Sequence, residues 1–393
     1  MTSSELSVLS FSNQTKEDKK KLKQFVKFHW SHYRNDPGYI PLLNYEYLGL
    51  GLIGMTGFFE PKDLFYNHAE IRFFMAEQNN TILGHCAAFV NHRHNAHWND
   101  QTGFFGQFEC INDEEVAGRL LDAAAQWLGS KGMDTMRGPQ NFPVNEATPG
   151  LLTEGFESRP VIYYHYNKPY YAGLLDQYGM KPVKRVLSWE VKVQNPMEEK
   201  LERISEKVIK RYHVQFEAWD ERPLDVRKKE MLDIYNTSWN DNFGFVPFTE
   251  EEFYQIVDDM MLIMDKNLFM FLYVEGQPAA FFGGIPNVME ALCPIPGLRR
   301  AELLRGLKML LNKNKTKGFR LGYLGVKPEF RRLGLDGVML YKQKQYTQTT
   351  QYEYCDMGWV LEDNVMVVRL VDMMGGGPSK TYTIYEKPIA GRA

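Results

Sequence analysis

The chain has 393 residues, room for two cores of ~150–200 residues each. Apolar residues make up 44% and charged residues 24%, as in a water-soluble globular protein, and a net charge of −3 excludes a global basic field for nucleic acid, so no DNA partner is expected. Its cysteines, Cys86, Cys110, Cys293 and Cys355, form no CxxC pair, which argues against a disulfide framework or a structural zinc site and suits a reducing cytoplasm.

The N-terminus lacks the apolar run of a secretory signal. Ser4–Phe11 alternates as a strand, and Lys16–Tyr33 places Leu22, Phe25, Val26 and His29 at helical spacing. The apolar stretch Leu42–Phe59 contains Glu46 and four glycines. It falls short of the ~20 clean apolar residues a spanning helix needs, so no transmembrane segment is expected. Ile71–Gln78 and Thr81–His92 form a hairpin around Asn79-Asn80, since paired asparagines tolerate positive φ. His92, His94 and His97 lack the HExxH spacing, and they are read as a polar strand end or loop with no metal site. Gly103–Ile111 is a strand, and Asn112 or Asp113 caps a helix over Glu114–Lys131. A short strand, Met133–Gly138, a helix, Tyr170–Tyr178, and a strand, Val183–Val193, complete the first half. Between them, the amide-rich stretch after Gly138, with Asn141, and the tyrosine run with Tyr164 and Tyr166 are candidates for the wall of a substrate pocket.

The second half repeats this order. Lys200–Lys210 is a connecting helix and Tyr212–Trp219 a strand. Arg227–Trp239 and Thr249–Asp265 are helices, the second opened by the capping box Thr249-Glu250-Glu251-Glu252. Leu268–Val274 and Pro278–Gly284 form a hairpin. Arg299–Lys313 is a basic amphipathic helix whose charged face is solvated. The strand Arg320–Val326 leads into VKPEFRRLGLDG and a helix starting near Gly337. Glu353–Trp359, Asn364–Met374 and Lys380–Tyr385 follow as strand, helix and strand. The order predicts an α/β fold with two domains, 1–195 and 196–393, each a mixed central sheet flanked by helices.

A strand, an Arg/Gly turn and a helix N-terminus make a seat for phosphate. Backbone N–H groups and the positive helix end point into one space, Arg331 and Arg332 add charge, and Gly334 and Gly337 allow close approach. With its strand order, this stretch resembles the acyl-CoA-binding motif of the GNAT (Gcn5-related N-acetyltransferase) superfamily, Arg/Gln-x-x-Gly-x-Gly/Ala after a strand ending in Val-x-Pro. Arg331, Gly334 and Asp336 fall on the three key positions, and the stretch from Trp359 to Asn364 resembles the family's next strand and following Asn. The resemblance implies two GNAT-like domains, the first with its pyrophosphate turn replaced by the acidic stretch Glu109–Glu115. It implies acetyl-CoA or another acyl-CoA as co-substrate, gripped by Arg331, Arg332, Leu333, Gly334, Leu335, Asp336, Gly337 and Asn364. The N–H groups of Gly325 and Val326 would polarise the thioester, and the amine of a small molecule or peptide would be the acceptor. Glu362, at a strand end, is the candidate base; the tyrosine the family often carries after Asn364 is missing here, and Tyr382 or Tyr385 on the last strand is the candidate acid in its place.

Asp336 stands where the family has Gly or Ala. It caps its own helix, pairs with Arg331 or Arg332, or excludes the diphosphate. The competing readings are a non-catalytic binding module on this fold and a Fem-type transferase that draws on aminoacyl-tRNA.

Overall fold

The computed structural model describes residues 5–51, 55–142, 147–292 and 302–389. Of the sequence reading, Ser4, Cys293 and the start of the expected basic helix at Arg299 lie outside them. The described residues form two compact units. One holds those of Met1–Val186 and Lys380–Ala393 together with Glu302, the other those of Leu187–Cys293 and Leu303–Ser379.

The first unit opens with β1 (Ser7–Phe11), α1 (Lys16–His32), α2 (Asn44–Leu48), β2 (Ala69–Gln78) and β3 (Thr81–Asn91). Thr15 starts α1 with a reciprocal capping box to Asp18. Next come α3 (His92–Trp98), β4 (Thr102–Cys110), α4 (Glu114–Ser130), β5 (Thr135–Gly138), β6 (Leu151–Glu154), α5 (Tyr171–Gln177) and β7 (Lys181–Lys192), which runs on into the second unit. The histidine stretch is therefore a helix, not a strand end or loop. Asn91 caps it by accepting from the N–H groups of Arg93 and His94, and Asn99 ends it in the left-handed region. Both faces of the β1–β4 sheet are covered. Leu120, Leu121, Ala124 and Tyr171 pack with Phe105 and Met136 on one side, and Phe25, Val26 and Phe59 pack with Phe73 and Phe89 on the other.

The second unit contains α6 (Glu199–Tyr212), β8 (Gln215–Ala218), α7 (Leu224–Ser238), α8 (Glu250–Met261), β9 (Phe269–Val274), β10 (Gln277–Pro286), α9 (Met289–Leu292), α10 (Glu302–Asn312), β11 (Gly318–Val326), α11 (Leu335–Thr347), β12 (Tyr354–Leu361) and α12 (Val365–Met373). The two units share one pattern. Antiparallel pairs run β1-β2-β3-β4 in the first and β8-β9-β10-β11 in the second, and each ends in a parallel pair, β4 with β5 and β11 with β12. The last strand, β13 (Gly377–Pro388), returns to the first unit and pairs antiparallel with β5 and β6. The sequence reading put the division near 194–199, and the contacts put it at Val186 with the chain's last residues in the first unit.

α10 reverses the expected amphipathic order. Its leucines, 303, 304, 307, 310 and 311, are 45–69% exposed, whereas Arg305 is buried.

Arg227 organises the edge of the second unit. It is wholly buried, and all five of its N–H groups are used. Nε donates to Trp219 O, Nη1 to Glu230 and the Tyr273 hydroxyl, and Nη2 to Glu217 and Ala218 O. Arg227→Met leaves the Trp219 and Ala218 carbonyls without this donor and Glu217 and Glu230 with Arg222 as their remaining cation. It should cost about 3–5 kcal/mol, read as a fall in the urea midpoint.

Candidate active site

In both units the parallel pair stops early. β11 and β12 are in register from Gly318↔Tyr354 to Leu321↔Met357, and β11 runs on to Val326 without further β12 partners. Arg320 bridges the point of parting. Its Nε donates to Gly358 O at 2.9 Å, and its guanidinium stacks 4.7 Å from the Trp359 ring. Gly325 and Val326 remain paired to β10, and a Cβ at Gly325 would meet the Trp239 ring at 2.9 Å.

After Val326 the chain turns through Pro328–Leu333, and Gly334, at φ +79°, opens α11. Only glycine takes this conformation without strain. Arg331 is tied to Ser238 O at 2.7 Å. Arg332 is exposed and has no hydrogen bond or ion pair among the described residues. Leu333 is half-buried, and Leu335 packs inside. Asp336 makes no ion pair with either arginine; its Oδ1 accepts from the Gly337 N–H at 3.0 Å. Burial raises its carboxyl above the usual carboxylate range, against the pull of the backbone bonds. α6 lies against the same helix start, where a Cβ at Gly337 would be 3.2 Å from Leu201 Cδ1. The turn therefore fits a diphosphate in its glycine and its free Arg332. It does not fit in Asp336, whose carboxylate takes an amide the anion would need. Asn364 caps α12, and Glu362 is exposed in the loop before it. Tyr385 sits opposite Gly138 in the core of the first unit, not in the unit that carries the turn, because β13 joins the first sheet.

In the first unit β4 leaves β5 after Phe104↔Arg137. Asn141 supplies part of what the lost strand would have. Its Oδ1 accepts from the Gln107 N–H at 2.6 Å, where Gln107 bulges at φ +48°. At the end of β4, Glu109 Oε2 accepts from two buried phenols, Tyr33 at the end of α1 and Tyr171 at the start of α5, each at 2.6 Å. The Tyr171 oxygen also accepts from the Cys110 N–H at 2.9 Å and lies 2.9 Å from His32 Nε2. The phenol has one hydrogen, which goes to Glu109, so neutral His32 presents Nε2–H to it. Tyr166 joins this group from outside by donating to Asp36, which pairs with Lys168. Tyr164 is buried against Tyr382.

Burial dominates the electrostatics here. It raises the Glu109 carboxyl to about 7, opposed by the two tyrosine bonds and Lys168. It lowers His29 to about 3 and His32 to about 4, and pushes His85 well down. The sequence reading took Glu109 for part of an erased turn, had Tyr171 only as a member of the tyrosine run, and missed His32, Tyr33 and His85. The available signal was His29, His32 and Tyr33 together in the last turn of α1 and its cap.

The unfolded chain binds protons at its histidines below pH ~6.5, and the fold keeps His29, His32 and His85 neutral. Their stabilisation is therefore lost as pH falls from ~6.5, by about 1 kcal/mol per imidazole per pH unit. Glu109 has the opposite sign: its contribution falls as pH rises from ~4.5 through about 7. With the imidazoles outnumbering the carboxyl, the melting temperature should drop between pH 7 and pH 5, and His85→Phe should flatten that drop.

No protein-family model matches the chain. It is 27% identical over 381 residues to Protein YghO of Escherichia coli (strain K12), covering 95% of this chain and 94% of that protein. It is also 27% identical over 381 residues to a bacterial ceramide synthase of Caulobacter vibrioides (strain NA1000 / CB15N), covering 94% and 95% respectively. Among solved structures, a tandem GNAT protein from the clavulanic acid biosynthesis pathway superposes with a TM-score of 0.56 at 9% identity, over 99% of this chain and 100% of that one. The paired architecture and this superposition agree: the chain has the fold of the tandem GNAT acetyltransferases.

Proposed function

We propose that this chain is an acyl-CoA-dependent N-acyltransferase, acting in the cytoplasm, whose acceptor is the amine of a long-chain amino alcohol. The parting of β11 from β12 just before the turn carries the reading. It leaves backbone free beside a helix start, the arrangement in which an N–H can polarise a thioester carbonyl. The likeness to a ceramide synthase along nearly the whole chain supports the acceptor class and a fatty rather than acetyl donor, since a ceramide is a fatty amide of a long-chain amino alcohol. In this reading the second unit carries the donor turn and the first lacks one. Asp113 takes the amides that open α4, and Glu114 and Glu115 add charge that repels phosphate.

Arg332 holds the donor's diphosphate, with Arg331 beside it, and Asp336 weakens that grip. Asp336→Gly should tighten acyl-CoA binding by about tenfold, and Arg332→Ala should weaken it by a similar factor, each ~1.4 kcal/mol. Calorimetry with palmitoyl-CoA and acetyl-CoA measures both. Incubating palmitoyl-CoA with sphinganine should release free thiol and give an amide by mass spectrometry. If neither the wild type nor Asp336→Gly binds any CoA ester, the donor assignment is wrong and the non-catalytic module or the tRNA-dependent transferase takes its place.

A further inference from the structure

We infer that the first unit holds the acceptor. His85 and Glu109, with His29 above them, form a seat for an ammonium group beside a hydroxyl. This rests on the transferase reading for the chemistry but not for the binding.

The seat follows from register. His85 on β3 and Glu109 on β4 are directly paired, so their side chains leave the same face of the sheet. α1 lies over that face: Phe25 stacks on the His85 ring at 3.6 Å, and the His29 ring is 5.0 Å away. His85 Nδ1 lies 2.8 Å from Gln107 O. A carbonyl can only accept, so Nδ1 carries the hydrogen and Nε2 presents a lone pair. That Nε2 is buried with no partner, and so is Nε2 of His29. A buried polar atom left unpaired costs about 1–3 kcal/mol, and here two neighbouring imidazoles carry one. Glu109 spends Oε2 on both tyrosines, and Oε1 has no hydrogen-bond partner among the described residues.

The open positions on His85 and Glu109 are acceptors without hydrogens of their own, so the ligand must bring donors. The imidazoles are neutral and Lys168 is paired with Asp36, which leaves Glu109 as the charge that faces the ligand. One carboxylate and one neutral acceptor match the ammonium and hydroxyl of a 2-amino-1,3-diol.

Ionised Glu109 binds the ammonium through Oε1, and the neutral Nε2 of His85 accepts from the hydroxyl. A carboxyl near 7 gives this grip a pH dependence: the seat holds the ammonium above that pH and releases it as Glu109 protonates. Its neighbours are fixed: Tyr33, His32 and His29 from α1, His85 from β3, Cys110 on β4, Tyr170 and Tyr171 at α5, and Lys168.

The test uses the full chain, with melting curves to establish that each variant folds. Sphinganine and octadecylamine, which lacks hydroxyls, are titrated by calorimetry. Glu109→Gln should weaken both by at least about tenfold and abolish the acidic limb of binding near pH 7. His85→Phe should weaken sphinganine by about tenfold and leave octadecylamine nearly unchanged. Tyr33→Phe, the mildest change, should move the acidic limb to higher pH, because it removes one bond to the carboxylate. Folded Glu109→Gln that binds sphinganine as the wild type does, or with an unshifted pH profile, overturns the assignment and leaves the transferase reading intact. Glu109-dependent binding without any acyl transfer does the reverse.

A second surface stands on separate observations. The exposed leucines of α10 occupy one arc of the helix. Lys308 and Lys315 flank them, and exposed Leu262, whose carbonyl is held by Lys313, extends the patch. We propose that this face rests on an anionic lipid surface, where leucines enter the acyl boundary and lysines meet the headgroups. Flotation should carry the chain with phosphatidylglycerol-containing vesicles and less with phosphatidylcholine alone, and the pair Leu307→Glu and Leu311→Glu should abolish it. Equal flotation of that variant overturns the proposal. So does a lipid-free dimer that the variant dissolves, which would make a second copy the occupant.

Discussion

A parallel strand pair that begins and then stops leaves backbone groups with no ladder to join, and both candidate sites grow from that constraint. Buried N–H and C=O groups must be paired. Along β4 the replacements can be followed in turn. Phe105 O takes the Gln140 N–H, Gln107 N–H goes to the Asn141 side chain, Gln107 O to His85, Cys110 N–H to Tyr171 and Cys110 O to Tyr170. In the second unit Arg320 serves Gly358 O in the same way. Side chains recruited to satisfy a broken ladder are thereby fixed in place around the gap, ready to act on what enters it.

The two units solved the helix start after the gap differently from a phosphate-binding turn. Asp113 and Asp336 each place a carboxylate on the amides of their own helix. A cap of this kind stabilises the helix and competes with any anion for the same donors. In the first unit Glu114 and Glu115 follow the cap, whereas in the second the glycine turn and Arg332 lie beside it.

Much of this was legible in the sequence. Hairpins at Asn79-Asn80 and Glu275-Gly276, the Asp113 cap and the Gly334 turn announce themselves through local chemistry, and long periodic helices do the same. α3 and β6 did not: seven mostly polar residues and four residues carry too little pattern. α10 misled, since its leucines imply a buried face and its charges a wet one, yet it is Arg305 that is buried. The Glu109 group was invisible for another reason. His29, His85 and Glu109 are far apart along the chain, and only the register that sets His85 opposite Glu109 brings them together. Local propensity does not encode register between strands that a bulge interrupts.

Closing the first sheet takes a strand from far along the chain. β13 lies against β5 and β6, so until Gly377–Pro388 is synthesised the first unit carries a raw edge, the kind other chains can pair with. Deleting that one strand would leave the edge permanently open.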